Sequence, residues 1–370
     1  MSDNQRTIDW LRLSLTPGLG AAGCRRLVEH FGTPGRVLAA PPAELARVGG
    51  IRKTSLNGIG APEIARAAET ALQRTHNAGQ TLLCWDDPGY PEQLRTIHDP
   101  PVLLYLKGAP AVLNNSGIAV VGARAASTYG LQMAGRFARD LALRGLTIIS
   151  GLALGIDSNA HAGALAAAGK TVAVLGCGLD IVYPARNRKL FEEIAATGAL
   201  VSEYPPGTPP DSFRFPARNR IISGLALGVL VVEAAKHSGS LITAQLALEQ
   251  GREVFAMPGR IDSGKSEGTH RLLQDGAKLV HSVDDILAEL QAFTAAAPTN
   301  AQQTTPAAGL ADLDQASQAL LATLDVYPKN IDDLIVATGL AARVVNEKLV
   351  LLELADLIEV LPGKLYQRKA

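Results

Sequence analysis

L-T-I-I-S-G-L-A-L-G-I-D-S-N-A-H-A-G-A-L-A-A-A-G-K-T-V-A-V-L-G, residues Leu146 to Gly176, decides the fold. It opens on an apolar run, Leu146–Ile149, and closes on another, Thr171–Leu175, with an Ala-rich helical stretch between them. Near-continuous Val, Ile and Leu mark strands buried on both faces, as in a parallel sheet. The helical stretch is the crossover that parallel neighbours require.

Working outward, the unit repeats. Ile118–Val121 precedes it, and Leu200–Ser202, Val229–Val232 and Glu253–Ala256 follow, each succeeded by a helical segment. These runs predict a doubly wound, mostly parallel, Rossmann-like α/β sheet. Thr81–Cys84 and Val102–Leu106 are expected as flanking strands, giving a domain over residues 76–290. Residues 1–75 read as short helices with Gly-rich turns, T-P-G-L-G at Thr16–Gly20 and V-G-G-I-R at Val48–Arg52. The pattern resembles paired helix-hairpin-helix or SAM-like units, or a plain helical bundle capped by glycine. Residues 291–311 are rich in Ala, Thr, Gln and Pro without apolar periodicity and read as a linker. In residues 312–370, helices are expected at Gln315–Leu324, Ile331–Ala337 and Ala341–Ala355, then a hairpin of Ile358–Leu361 and Leu365–Gln367 about P-G-K. That order is a winged helix.

Composition bounds the function. The chain has 370 residues, 47% hydrophobic and 19% charged, as a globular protein of two or three domains requires. Its 35 basic and 35 acidic residues cancel, so any polyanion-binding surface must come from local clustering. Cys24, Cys84 and Cys177 are scattered, which argues against a disulfide framework or a zinc site and fits a reducing cytoplasm. The polar N-terminus shows no secretory signal, and the apolar runs are too short and Gly-broken to span a bilayer. No metal or cofactor is expected.

In open α/β sheets, ligands sit beyond the carboxyl ends of the strands. The strand ends here are V-G-A-R at Val121–Arg124, S-G-L-A-L-G-I-D at Ser150–Asp157, G-C-G-L-D at Gly176–Asp180, S-E-Y-P-P-G from Ser202, E-A-A-K-H-S-G-S from Glu233 and M-P-G-R at Met257–Arg260. Small residues at helix starts expose backbone amides as anion nests. Gly122, Ser150, Gly151, Ser238, Gly239 and Ser240 are the candidates. Cations fall on the same edge: Arg124, then Arg186, Arg188 and Lys189 beside Asn187, then Arg214, Arg218 and Arg220 beside Asn219. Guanidinium forks suit phosphate. Tyr183, Phe213 and Phe215 are available to stack on bases.

Other chemistries fit poorly. Gly151-x-x-x-Gly155 is not G-x-G-x-x-G, and Gly176-x-Gly178 has Ile181 where a third Gly belongs. No P-loop string occurs, and Ser150 and Ser238 lack a G-x-S-x-G elbow. Asp157 and His161 share a helix face at i, i+4, and read as a hydrogen-bonded helix start that orders its loop rather than as an acid–base pair.

Taken together, V-V-G-A-R, I-S-G-L-A-L-G-I-D-S-N-A-H, V-L-G-C-G-L-D-I-V-Y-P-A-R-N-R-K-L, S-E-Y-P-P-G, F-P-A-R-N-R-I-I-S-G-L, V-V-E-A-A-K-H-S-G-S-L-I-T-A and G-R-E-V-F-A-M-P-G resemble the DNA-processing protein A (Smf) family in order and spacing, from about Thr81 to Val280. The resemblance implies a non-enzymatic single-stranded-DNA-binding protein. Members protect incoming DNA in natural transformation, bring the RecA recombinase onto it, and form homodimers. The family arginine of the first strand turn falls on Arg124, and its basic residues after the Y-P string fall around Arg186 to Lys189. The family commonly has G-S-R where this chain has G-A-R, so Ala123 loses one hydroxyl donor. An alternative is a nucleoside-monophosphate phosphoribohydrolase, but its G-G-x-G-T-x-x-E loop aligns with Ser238–Glu249, where the spacing to the glutamate is lost. A third reading makes the winged helix a duplex reader. Its recognition helix carries Arg343 and Lys348 against Glu347, Glu353 and Asp356, a poor balance for phosphate contact.

Overall fold

The computed structural model describes residues 3–294, 314–324, 328–355, 357–361 and 365–368. They fall in two compact units, Met1–Phe293 and Thr294–Ala370. From residue 295 onward the expected linker lies outside the described residues, as does the P-G-K turn of the hairpin.

In the first unit, nine strands form one sheet: β1 Thr81–Cys84, β2 Leu103–Gly108, β3 Gly117–Val121, β4 Thr147–Ser150, β5 Thr171–Leu175, β6 Ala199–Ser202, β7 Gly228–Val231, β8 Glu253–Ala256 and β9 Lys278–Leu279. Their order is β1-β2-β6-β5-β4-β3-β7-β8-β9. β6 to β9 in that order run parallel; β1 and β2 are antiparallel additions on the β6 side. The chain winds from β3 out to β6, then returns to lay β7 on the other side of β3. The order of winding therefore reverses between β3 and β7, where a doubly wound sheet opens a crevice at its carboxyl edge. The short β9 was not apparent in the sequence; its two residues, both exposed, carry no apolar run.

The period of two along the strands divides the core. Leu103, Tyr105, Ala173, Leu175 and Leu200 face one side, with Phe191, Ile194 and the N-terminal helices. Leu104, Leu106, Val172, Val174 and Val201 face the other, against Ile221, Ile222, Leu225, Ala244 and Ala247 of helices Arg214–Leu225 and Gly239–Glu249. Trp10 and Leu11 belong to the first of these cores, so the N-terminal helices are packed into the sheet domain.

The second unit has helices Gln315–Thr323, Ile331–Thr338 and Ala342–Leu354 with a sheet of Lys329–Asn330, Ile358–Leu361 and Leu365–Arg368. Gly339, at φ 68°, closes the second helix in the left-handed conformation that glycine tolerates. The T-G-L turn is thus a helix stop.

Helices Thr128–Leu143 and Ile156–Ala166 approach closely at Gly135 and Gly163. A Cβ at position 163 would collide with the backbone of Gly135. Overpacking of this kind has no flexible side chain to absorb it, so Gly163→Ala should lower stability by about 1–3 kcal/mol. Urea unfolding of the two proteins measures it, and an unchanged midpoint would contradict the packing described.

Candidate functional site

The crevice at the β3/β7 reversal has a volume of about 880 Å³. One wall is the turn after β3, Gly122 to Arg124; the other is the turn after β7, Ala235 to Ser240. Its third side comes from Pro210–Ser212 and the start of helix Arg214–Leu225, through Phe215, Pro216, Arg218 and Asn219.

One expected anion nest, at Gly151, is already filled by the protein's own carboxylate, and carboxylates also take the amides of Ser127 and Gly207 at neighbouring strand ends. Glu233, at the end of β7, accepts the Ser127 amide at 2.9 Å and the Ser127 hydroxyl, capping helix Thr128–Leu143. A Cβ at Gly130 would sit 2.8 Å from the Glu233 carboxylate, which explains the glycine. Asp157 accepts the amides of Gly151 (3.1 Å) and Ala153 (3.4 Å). Asp180 accepts the amide of Gly207 at 2.9 Å. Carboxylates at helix starts satisfy both the orphan donors and the dipole. The nest at Gly151 is therefore closed to an outside phosphate.

Two of the expected phosphate ligands are turned inward. Arg218 is 5% exposed. Its guanidinium donates to the carbonyl of Gly151 at 2.8 Å and to that of Val174, bridging the ends of β4 and β5. Burial pulls its pKa down to about 10, opposed by the nearby Asp157 carboxylate. Burial pushes Asp157 upward, with Arg218 pulling it back. Arg220 forms internal ion pairs with Glu203 (2.5 Å) and Asp99 (3.3 Å). Arg218 is buried and Arg220 half-buried, and each is turned onto oxygens of the protein itself. Ser150 is buried with its hydroxyl on the Val120 carbonyl at 2.6 Å. Asn187 is buried and donates to Leu152 and Ser158. Ser240 is buried beside Ser238, whose side chain caps its helix by accepting the Ser240 amide.

The residues left facing solvent in the crevice are Gly122, Arg124, Asn219, Ser238 and Gly239, joined by Lys236 and His237. Arg124 is exposed and lies over the ring of Phe215 at 5.5 Å, and Phe215 stacks on Tyr183 at 5.7 Å and 21°. Phe213 is 65% exposed, with the Arg214 guanidinium over its ring at 5.0 Å. Arg186, Arg188 and Lys189 are exposed but do not line the crevice; Lys189 pairs with Glu193 at 3.7 Å. The expectation that every cation converges on one crevice is corrected: Arg124 is in it, the Arg186–Lys189 group starts three residues beyond Tyr183 on its rim, and Arg218 forms its floor. Lys236 and His237 stand in the strand-end segment E-A-A-K-H-S-G-S, with no role assignable from the sequence alone. Their signal was their place directly after a strand at the winding reversal.

Asp157 orders its loop as expected, but not through His161. The imidazole is fully buried and its Nδ1 meets the Thr171 hydroxyl at 2.7 Å. Burial, then Arg218, lowers the His161 pKa to about 3. Between that value and the ordinary 6.5, the unfolded chain binds a proton here that the folded chain does not, so stability is present above pH 6.5 and is lost as pH falls toward 3. His161→Asn should therefore flatten the acid limb of the stability profile relative to the parent. Urea midpoints at pH 7 and pH 4 test this, and an equal loss in both proteins would refute it.

A mostly parallel Rossmann-like sheet with a cationic, aromatic-rimmed crevice and a winged helix defines the class: α/β proteins that present a strand-end surface rather than a dinucleotide fingerprint. The family model described as DNA recombination-mediator protein A matches residues 81–291. Those described as the DprA-like N-terminal HHH domain and the DprA winged helix domain match residues 4–65 and 303–364. The chain belongs to the DprA/Smf family. It is 34% identical to Protein Smf of a Synechocystis species over 99% of this chain and 100% of that one. DprA of Streptococcus pneumoniae superposes with a TM-score of 0.64 at 39% identity, covering 76% of this chain and 97% of that one. DNA processing protein A of Helicobacter pylori, solved for its single-stranded DNA binding mode, gives 0.53 at 32% identity, covering 58% and 96%.

Proposed function

We propose that this DNA-processing protein binds single-stranded DNA along the crevice, with the phosphodiester chain on Arg124, Lys236 and the Ser238–Gly239 turn. The observation that carries the reading is the Arg124–Phe215–Tyr183 stack at the mouth of the crevice. It puts an exposed guanidinium beside aromatic rings, with Phe213 nearby, and so offers both a phosphate fork and stacking faces. The Helicobacter pylori relative's single-stranded DNA binding mode supports it. Arg186 and Arg188 extend the track past Tyr183. Family membership supports the rest of the role: protecting incoming DNA, delivering it to the RecA recombinase in transformation and recombination, and acting as a cytoplasmic homodimer. Among the described residues, no helix is long and apolar enough to cross a membrane.

We read the role as non-enzymatic. In the phosphoribohydrolase alternative, the glutamate after the glycine loop would serve the crevice. Glu249 instead ends the 11-residue helix that Ser238 begins, about 16 Å along its axis, and is held by Gln245. Incubation with nucleoside monophosphates should release no base.

Contact with three to four phosphates should give a log–log salt slope of about −2 to −3 on oligo-dT, at about 0.7 per phosphate. Arg124→Ala should weaken binding to all sequences alike and flatten the slope by about 0.7, because phosphate contacts carry no base information. Deleting residues 300–370 should leave this affinity largely intact. Salt-independent binding, or loss of binding with the deletion, would overturn the assignment.

A further inference from the structure

The two walls of the crevice are joined through one residue. Glu233 follows the end of β7, shortly before Lys236 and Ser238 in the chain. Its backbone carbonyl accepts the Ala123 amide at 2.7 Å. Its carboxylate accepts the Ser127 amide at 2.9 Å and the Ser127 hydroxyl. Arg124, Ala125 and Ala126 form the loop before helix Thr128–Leu143, so they hang between two fixings on the same glutamate. Ser127 ties the loop to that helix, because its hydroxyl also accepts the Gly130 amide at 3.0 Å. Close approach on both sides needs glycine. A Cβ at Gly122 would lie 2.8 Å from the Glu233 carbonyl oxygen, and one at Gly130 would lie 2.8 Å from the carboxylate. Beyond Glu233, the Ala234 carbonyl accepts the Gly268 amide at 2.8 Å and so holds the segment that leads to Lys236.

The charge of Glu233 suits no simpler purpose. The residue is 5% exposed, and among the described residues its carboxylate pairs with no cation. A buried carboxylate without a cation is costly to desolvate. It also repels any phosphate that approaches the crevice. Capping a helix start does not call for it, since a hydroxyl serves that end without charge. Ser238 does so for helix Gly239–Glu249. What the glutamate adds is reach: two acceptors on β7 that hold the turn of the neighbouring strand, β3.

We infer that Glu233 is the positioning residue of the crevice. By holding both ends of the Arg124 loop from β7, it sets where the Arg124 guanidinium stands relative to Lys236 and the Ser238–Gly239 turn. It touches no phosphate itself. Cations held at a fixed separation meet successive phosphates without the ordering cost of a free loop. The inference rests on the single-strand reading of the crevice given above.

The test measures oligo-dT affinity against salt for Glu233→Ala, Glu233→Gln, Arg124→Ala and the Glu233→Ala, Arg124→Ala double variant, with urea midpoints to report folding. Both changes at Glu233 remove the same charge. Only alanine removes the grip, since a glutamine amide can accept the Ser127 amide and donate to the Ser127 hydroxyl oxygen. Glu233→Ala should weaken binding on the order of 10-fold, as the loss of one charge-assisted contact does. It should flatten the salt slope by about 0.7, as Arg124→Ala does. Glu233→Gln should bind at the parent level or better, with the parent slope. In the Arg124→Ala background, Glu233→Ala should bring no further loss, because the two act through one contact. Should the alanine variant fail to fold, Ser127→Ala removes the hydroxyl bond alone and gives a smaller loss that likewise vanishes without Arg124. A role in helix capping alone would lower the urea midpoint and leave the salt slope in place, which overturns the inference. Parent-like binding by Glu233→Ala, a glutamine variant as weak as the alanine one, or losses that add to that of Arg124→Ala also overturn it. If Arg124→Ala itself leaves oligo-dT binding unchanged, the crevice reading has failed and the inference falls with it; every other negative outcome leaves that reading standing.

Discussion

The bridge made by Arg218 is the constraint on which the crevice depends. Its guanidinium ties the carbonyls of Gly151 and Val174 together, so the ends of β4 and β5 are closed by a charged plug. That plug requires Gly151, because a Cβ there would collide with the guanidinium. A cation taken wholly out of water is tolerable only with such partners, and here Asp157 supplies the opposite charge. The same arginine anchors the helix that carries it, Arg214–Leu225. Phe215, one turn earlier, is thereby placed to stack on Tyr183 and to carry Arg124 over its face. A buried charge thus sets the geometry of an exposed one.

The self-capping of the strand ends decides what kind of anion is admitted. A Rossmann-like sheet that binds a nucleotide leaves its helix N-termini open for the pyrophosphate. In this chain, Glu233 takes the Ser127 amide at the first helix start, and Asp157 takes the Gly151 and Ala153 amides of the loop that leads into the second. A compact phosphate approaching those amides would meet fixed carboxylates. Binding energy is left to the outer rim, where Arg124, Lys236 and His237 face solvent and can follow an extended chain. Two glycines that resembled nests serve close packing instead, Gly122 against Ile156 and Gly151 against Arg218.

How much of this was legible in the sequence follows from the range of each interaction. The strands declare themselves through local apolar runs, and β5 and β8 match their expected limits to the residue. Arg124 and the aromatic residues were legible because turn position alone exposes them. Arg218 and Arg220 were not. In F-P-A-R-N-R both read as surface cations, and nothing within the segment reveals the acceptors, which lie on strand ends 44 and 67 residues away for Arg218. Arg220 finds Glu203 nearby but Asp99 at a separation of 121 residues. The capping by Glu233 is equally hidden, since Ser127 is 106 residues distant. A charge count along the chain cannot separate a phosphate ligand from a structural plug; only its long-range partners can.

The zero net charge then takes on a specific meaning. A protein that binds polyanions through a global positive field gains association rate from long-range steering and also attracts every polyanion it meets. Here acidic residues neutralise many surface cations in place, Arg144, Lys189 and Lys278 among them, while Arg124 and Lys236 at the crevice form no ion pair among the described residues. At physiological salt the Debye length is about 8 Å, so such isolated clusters act only at contact range. Recognition is thereby shifted from the field to the geometry. In the proposed single-strand role, the phosphates would be met by unpaired cations beside aromatic faces.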